Sequence, residues 1–308
     1  MMVFDIIGYP INLGCDKDGN ELTPSILRRD GCYTSAKHQV NDLGDLPCTP
    51  RAAIIEEKYA SHSKIKFLKP VLTASRSLAD RVMHSIEQQH IPLCVGGDHV
   101  MAFGSIAGVG LAKGANNYAV IYIDAHGDFN TETSSSTGNM HGMHLSYLMG
   151  YGEADIANFW GVSPLLKPQN IYFLGARALD PGEIEMAAKL NMYIRSSEQL
   201  NASDPAEVIV DILSDIKRKG IDHIHLSFDV DVIDPRYAPG TGVPEKDGIT
   251  PALAYTIVRQ AVQSDLVKSI DLVELNANLD QNRMTERIMQ QVLSIILEEK
   301  GKESYALI

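Results

Sequence analysis

Acidic and imidazole side chains alternate with other residues in two short segments of the sequence. One segment contains Asp124, His126 and Asp128, and the other contains Asp229 and Asp231. Residues two apart in extended backbone point to the same side, so each segment can turn its polar groups toward one point. Carboxylate and imidazole ligands without thiolate suit hard divalent cations such as Mn²⁺, Mg²⁺ or Ca²⁺, and the imidazoles favour Mn²⁺.

A sixth candidate ligand, His99, follows two glycines and Asp98. The resulting cluster of four carboxylates and two imidazoles would be costly to bury without counter-charges, and these segments contain no Lys or Arg. An isolated aspartate after a strand more often forms a turn, so Asp98 and Asp234 are interpreted as structural residues. The predicted metal ligands are His99, Asp124, His126, Asp128, Asp229 and Asp231.

Two cations bridged by Asp124 and Asp229 would offset the repulsion between these carboxylates. Such a pair also leaves room for a solvent molecule between the ions. A metal pair lowers the pKa of water and polarises the substrate, so the cluster indicates hydrolytic chemistry.

Each of these polar segments directly follows a short apolar run, and a further run leads into Glu274. Near-continuous apolar runs are typical of strands buried on both faces of a parallel sheet. Because the carboxyl ends of neighbouring parallel strands border one crevice, the polar groups are predicted to gather there. The four runs that precede them are residues 91–95, 118–123, 224–228 and 270–273.

Helical patterns alternate with the apolar runs. Asp204 and Pro205 predict a helix start, Gly220 predicts its end, and further helices are predicted from Thr250 and over residues 285–299. This alternation predicts an α/β fold, with three α/β/α layers and a mainly parallel central sheet. Without a linker-like segment, residues 1–308 are predicted to form a single domain. Further strands are predicted at residues 3–8 and 171–174, and loops at residues 15–21 and 131–139.

The composition is that of a globular protein with an acidic balance. The chain has 308 residues, 27 Lys and Arg against 39 Asp and Glu, and a formal net charge of −12. That charge argues against a broad nucleic-acid or anionic-membrane surface. No apolar segment approaches the roughly 18 residues of a membrane-spanning helix, and the four cysteines show no disulfide or zinc spacing. The sequence therefore predicts a cytoplasmic protein with reduced thiols.

These segments resemble the signatures of the arginase/agmatinase (ureohydrolase) family, in the same order along the chain. The matching segments are residues 96–99, 124–128 and 227–235. The resemblance implies a three-layer α/β/α fold and a binuclear Mn²⁺ site with a bridging hydroxide that attacks a guanidinium group. It also implies that one ion is held by His99, Asp124, Asp128 and Asp229, and the other by Asp124, His126, Asp229 and Asp231.

Within the family the resemblance is closest to enzymes that convert L-arginine to L-ornithine and urea. It implies that Glu274 binds the guanidinium and that His141 shuttles a proton. It further implies that Asn130, Ser135 and Thr137 bind the α-carboxylate, while Asp180 and Glu183 bind the α-ammonium. A planar guanidinium matches a carboxylate partner, which agrees with the role of Glu274. The sequence departs from the usual family pattern at Val100, Thr137, Ala178 and Val243.

Three alternatives stay open at the level of the sequence. The protein could instead be an agmatinase or another guanidino-acid hydrolase. Agmatine lacks the carboxylate that Asn130, Ser135 and Thr137 would bind. A deacetylase with one zinc ion is disfavoured by the second set of metal ligands. A non-enzymatic metal-binding homologue is disfavoured because no ligand, nor Glu274, is missing. The resemblance also implies a homo-oligomer, either a trimer or a hexamer.

Overall fold

Eight strands form the centre of the molecule in the computed structural model, which describes residues 1–301. Their order across the sheet is β2-β1-β3-β8-β7-β4-β5-β6, and every adjacent pair is parallel. The strands are β1 (Val3–Tyr9), β2 (Gln39–Asp45), β3 (Ile91–Gly96), β4 (Tyr118–Ile123), β5 (Ile171–Gly175), β6 (Tyr193–Ser196), β7 (His223–Asp229) and β8 (Val267–Val273).

Ten α-helices surround this sheet within the described residues. They are α1 (Thr23–Arg29), α2 (Leu68–Glu87), α3 (Met101–Lys113), α4 (His144–Leu148), α5 (Ala154–Ala157), α6 (Pro181–Leu190), α7 (Ser197–Asn201), α8 (Pro205–Arg218), α9 (Pro251–Gln263) and α10 (Met284–Glu299). Residues from α8, α9 and α10 form one apolar cluster with the sheet, and residues from α2, α3 and α4 form another. Two apolar clusters, one with each set of helices, give the predicted three-layer α/β/α architecture.

All six predicted strands are present, but β2 and β6 were not predicted. Both are edge strands with intermediate or exposed residues throughout, so neither has the continuous apolar run of a buried parallel strand. One sheet carries all eight strands of residues 1–301, and the single-domain assignment stays a prediction. Residues 302–308 of that predicted domain lie outside the described part of the chain.

Four central strands place the polar segments next to one another. Strands β3, β8, β7 and β4 are consecutive in the sheet, and their carboxyl ends lead into the segments that contain His99, Glu274, Asp229 and Asp124. The sheet therefore brings together side chains that are far apart in the sequence. Within residues 1–301 no helix has the length and apolar character needed to cross a membrane. All four cysteines are free.

Candidate active site

A cavity of about 360 Å³ opens at the carboxyl ends of the central strands. It is lined by every residue predicted for the site except Asp124, which lies buried with 1% of its surface exposed. The predicted residues on the cavity wall are His99, His126, Asp128, Asn130, Ser135, Thr137, His141, Asp180, Glu183, Asp229, Asp231 and Glu274.

Carboxylate oxygens converge on one ring nitrogen of His99. Its Nδ1 lies 2.8 Å from Asp124 Oδ2, 3.0 Å from Asp229 Oδ2 and 3.3 Å from Asp128 Oδ2. A single ring N–H cannot donate to three carboxylates, whereas one cation could accept a lone pair from each of these atoms. The opposite ring nitrogen, Nε2, lies 2.9 Å from Ser227 Oγ, which orients the ring.

A second group of ligands adjoins the first through Asp124. His126 Nδ1 lies 3.0 Å from Asp231 Oδ2 and 3.4 Å from Asp124 Oδ1. Candidate ligand atoms lie within 4.8 Å of one another in the group of His99, Asp124 and Asp229, and also in the group of Asp124, His126 and Asp231. The residues therefore fit two adjacent cations that share the Asp124 carboxylate.

Charge crowding in this cluster also fits bound cations. Burial, followed by the charge of Asp124, raises the pKa of Asp128 to about 7. Burial together with Asp231 and Asp124 raises the pKa of Asp229 well above its usual range. Nearby divalent cations would reverse both effects by favouring the ionised carboxylates.

The prediction that extended backbone aligns Asp229 with Asp231 was wrong in its mechanism. Residues Val230–Val232 form a 3₁₀ turn, and Asp229 Oδ1 accepts a hydrogen bond from the Asp231 backbone N–H at 2.8 Å. Asp124 Oδ1 accepts in the same way from the His126 N–H at 2.7 Å. Aspartate side chains commonly bond the backbone two residues ahead, and here such turns bring the paired ligands together.

Two of the acidic site residues have left-handed backbone although neither is a glycine. The φ angle is 60° at Asp128 and 66° at Glu274. Such conformations cost on the order of 1–3 kcal/mol and are found mainly where the surrounding structure requires them. Both residues lie just beyond strand ends, where the turn directs their side chains into the cavity.

Glu274 accepts three hydrogen bonds at the inner end of the cavity. Its Oε1 accepts from the His99 backbone N–H at 2.8 Å and lies 3.2 Å from His141 Nδ1, while Oε2 accepts from Asn20 Nδ2 at 2.5 Å. Burial opposes ionisation, but the hydrogen bond from His141 holds the pKa of Glu274 below its usual range. Burial likewise opposes charge on His141, yet Glu274 raises the pKa of His141 to about 9. Glu274 is therefore a carboxylate that can bind a cationic group.

Asn20 was not identified from the sequence. It lies in the predicted loop 15–21, but a 3₁₀ turn at Asn20–Leu22 replaces the end of that loop. Its partners Glu274 and Asn276 are more than 250 residues away along the chain, so no local pattern indicated the contact. The other predicted loop, 131–139, contains no helix or strand.

Two hydroxyl groups of loop 131–139 are free to donate into the cavity. Ser135 Oγ accepts from the Gly138 N–H at 3.1 Å, and Thr137 Oγ1 accepts from the Asn139 N–H at 3.2 Å. Neither hydroxyl donates to an acceptor within residues 1–301. Both can therefore donate to an anionic group of a bound molecule.

Asn130 and Asp180 bind each other at the wall of the cavity. Asn130 Nδ2 donates to Asp180 Oδ2 at 2.8 Å, and Asn130 Oδ1 accepts from Ser134 Oγ at 2.8 Å. Asp180 also forms a capping box with Glu183 at the start of α6. One amide N–H of Asn130 remains to donate to a ligand. Asn130 should therefore contribute less to ligand binding than an amide with both N–H groups available.

We expect Glu183 to make stability depend on pH. Burial, with repulsion from Asp180, raises its pKa to about 7, although the backbone N–H groups of Asp180 and Phe129 oppose the shift. The folded protein then binds the Glu183 proton more tightly than the unfolded chain. Protonated Glu183 therefore contributes to the free energy of unfolding, in full below about pH 4.3, and this contribution is lost as pH rises through 7. Glu183→Gln should remove that slope, up to about 1.4 kcal/mol per pH unit. Denaturant unfolding of the metal-free wild type and of Glu183→Gln at several pH values would measure this slope. Equal slopes of unfolding free energy against pH in the two proteins would contradict the prediction.

Asp98 and Asp234 have the structural roles predicted for them. Asp98 accepts from the backbone N–H groups of Gly14 and Val100 at 2.9 and 3.0 Å. Asp234 accepts from Arg236 Nε at 2.8 Å and from the Gly248 N–H at 3.2 Å. Both carboxylates therefore hold backbone segments that border the site.

Arg177 is a supporting residue that the sequence did not indicate. Its guanidinium donates to the carbonyl oxygens of Asp231 and Val232 at 2.8 and 3.0 Å, and to those of Glu245 and Lys246 at 2.9 Å each. These bonds tie the segment that carries Asp231 to the cavity rim. Backbone carbonyl acceptors cannot be recognised from the sequence, because every residue has one.

Comparisons with known proteins agree with this fold and identify the family. The model of the Arginase family matches residues 3–297. An arginase from Brevibacillus brevis is 34% identical over 298 residues, which cover 96% of this chain and 97% of that protein. An arginase from Staphylococcus aureus (strain MRSA252) is 35% identical over 284 residues, or 91% of this chain and 92% of that protein. The crystal structure of an arginase from Bacillus cereus has a TM-score of 0.87 and 32% identity, and covers 97% of this chain and 100% of that chain. The chain belongs to the Arginase family.

Proposed function

We propose that this protein hydrolyses the guanidinium group of L-arginine to give L-ornithine and urea, with two Mn²⁺ ions per subunit. The observation that carries the proposal is the pair of histidine–aspartate groups that share the buried Asp124, with the Glu274 carboxylate in the same cavity. Family membership and arginase-named relatives support the same conclusion.

The ligands divide between the two ions as the resemblance implies. His99, Asp124, Asp128 and Asp229 would hold one ion, and Asp124, His126, Asp229 and Asp231 would hold the other. When bound, the ion pair would supply an activated water nucleophile near neutral pH and polarise the guanidinium.

The remaining residues would bind and orient the substrate. Glu274 is ionised and buried, so it matches a planar cationic guanidinium. Ser135, Thr137 and the remaining N–H of Asn130 would donate to the α-carboxylate. Asp180 and Glu183 would face the α-ammonium. His141 contacts Glu274 at 3.2 Å, so it would lie beside a guanidinium bound to Glu274 and would deliver a proton to the departing amine.

Substrate choice tests this proposal directly. Urea release is measured with Mn²⁺ from arginine, agmatine and guanidinobutyrate, and we expect arginine to have the highest kcat/KM. Thr137→Val removes one donor to a charged group, worth about 1.5–3 kcal/mol, and should lower kcat/KM for arginine by about 10–100-fold. Agmatine has no carboxylate, so its kcat/KM should change little.

The matched control is Thr133→Val in the same loop. The Thr133 hydroxyl bonds Thr131 Oγ1 at 2.8 Å, and the residue does not line the cavity. A wild-type preference for agmatine would move the protein to the agmatinase alternative. Absence of urea from every substrate would favour the non-enzymatic alternative.

The location, the partners and the assembly of the protein stay predictions. A cytoplasmic location is consistent with the four free cysteines. The predicted partner is a small guanidino substrate, with no nucleic acid and no membrane. A trimer or hexamer is implied by the resemblance, and light scattering at several concentrations would determine the assembly.

A further inference from the structure

Tyr122 and His144 are buried polar side chains beside the proposed metal cluster that have no role in the mechanism above. Each is fully buried. Tyr122 is in strand β4, and His144 begins helix α4. Buried polar groups are normally bonded, so their partners indicate what they do.

The hydroxyl group of Tyr122 is the centre of this arrangement. It donates to Asp128 Oδ2 at 2.7 Å and lies 3.1 Å from both His99 Nδ1 and His144 Nε2. Within residues 1–301 it is the only hydrogen-bond donor to the Asp128 carboxylate. The Tyr122 ring also stacks flat on the His99 ring, with centroids 4.7 Å apart and 2° between the planes.

The orientation of His144 is set from its other side. Its Nδ1 lies 2.7 Å from the carbonyl oxygen of His141, and a carbonyl oxygen can only accept, so Nδ1 donates. In a neutral ring Nε2 then carries no proton and faces the Tyr122 hydroxyl as an acceptor. The single O–H proton of Tyr122 goes to the nearer acceptor, Asp128 Oδ2, so His144 Nε2 competes for it rather than donating. His99, Asp128 and His144 could form a three-residue metal site by distance, but the phenol oxygen lies between them, at 2.7–3.1 Å from one atom of each.

We propose that Tyr122 is a positioning residue for the Asp128 carboxylate, that its hydroxyl strengthens binding of the cation shared by His99 and Asp128, and that His144 is a competing acceptor for the same hydroxyl proton. The inference rests on the metal site of the proposed function. Outer groups that orient metal ligands typically contribute 10–100-fold to metal affinity. Because Asp128 belongs to one ion only, we expect the effect to be confined to that ion.

The test is Mn²⁺ titration of metal-free protein, with unbound Mn²⁺ measured by electron paramagnetic resonance. Tyr122→Phe keeps the stacked ring and removes only the hydroxyl. We expect one of two binding steps to weaken by about 10–100-fold and the other to stay near its wild-type affinity. Tyr118→Phe is the matched control, because Tyr118 is a buried tyrosine of the same strand whose hydroxyl bonds the distant Leu165 carbonyl at 2.9 Å.

Two variants of His144 separate its contacts. Gln can keep an acceptor oxygen near the position of Nε2 and should bind as the wild type does. Asn reaches only the position of Nδ1 and removes the competing acceptor, so it should not lower the affinity. Because the competing acceptor acts only through the Tyr122 proton, combining His144→Asn with Tyr122→Phe should give the affinity of Tyr122→Phe alone.

Three results would overturn the assignment. Wild-type affinity in both steps for Tyr122→Phe would remove Tyr122 from the metal site. An affinity lowered by His144→Asn to the level of Tyr122→Phe would show that His144 binds the ion itself or supports the site by another route. An equal loss in Tyr118→Phe would mean that the effect is general destabilisation. A wild-type protein that binds no Mn²⁺ would instead contradict the metal site of the proposed function.

Discussion

Asp229→Asn is expected to release both Mn²⁺ ions and to lower arginine hydrolysis by ~10³-fold or more, beyond the 10–100-fold typical of residues that only orient ligands. Asp229 Oδ2 lies 3.0 Å from His99 Nδ1, and the same side chain forms the turn that places Asp231. The amide keeps the shape of the side chain but removes the negative charge that both ions need. Elemental analysis of metal after dialysis, beside urea release, would measure the two effects.

Asp234→Asn is the matched control for this change. Asp234 is buried in the same segment, but it binds Arg236 and the Gly248 N–H rather than the cluster. This variant should retain both ions even if it unfolds at a lower temperature. Two ions bound to Asp229→Asn at wild-type occupancy would show that Asp229 does not bridge them.

Glu274→Gln is expected to lower kcat/KM for arginine by about 10²–10⁴-fold while the metal content stays near that of the wild type. Two hydrogen bonds from a guanidinium to a carboxylate are worth about 1.5–3 kcal/mol each, and a neutral amide cannot replace both. Glu274 Oε1 also accepts from His99 and His141, so the variant should in addition lower the proton affinity of His141.

Glu245→Gln provides the comparison for Glu274→Gln. Glu245 lines the same cavity but makes no side-chain ion pair within the described residues. Its substitution should change kcat/KM much less, because no buried cation-binding carboxylate is lost. Equal losses in the two variants would indicate that the total negative charge of the cavity, rather than Glu274, attracts the substrate.

The sequence by itself determined the central strands, the helices from Pro205, Pro251 and Met284, and the set of candidate ligands. These features depend on local properties: continuous apolar runs, helix caps, and acids placed directly after strand ends. Because the carboxyl ends of parallel strands meet at one crevice, the position of each acid in the chain was enough to predict that the cluster forms.

Only the tertiary structure decided how those side chains are oriented and which groups hydrogen-bond to them. The edge strands β2 and β6 lack a buried run, and the 3₁₀ turn at Val230–Val232 replaced the expected extended backbone. Asn20 reaches Glu274 across 254 residues, and Tyr122 donates to Asp128 while its hydroxyl also lies 3.1 Å from His144 Nε2. Contacts of this kind depend on which surfaces the packed helices and strands bring within about 3 Å, and hydrogen-bond partners distant in the chain have no spacing that a sequence could display.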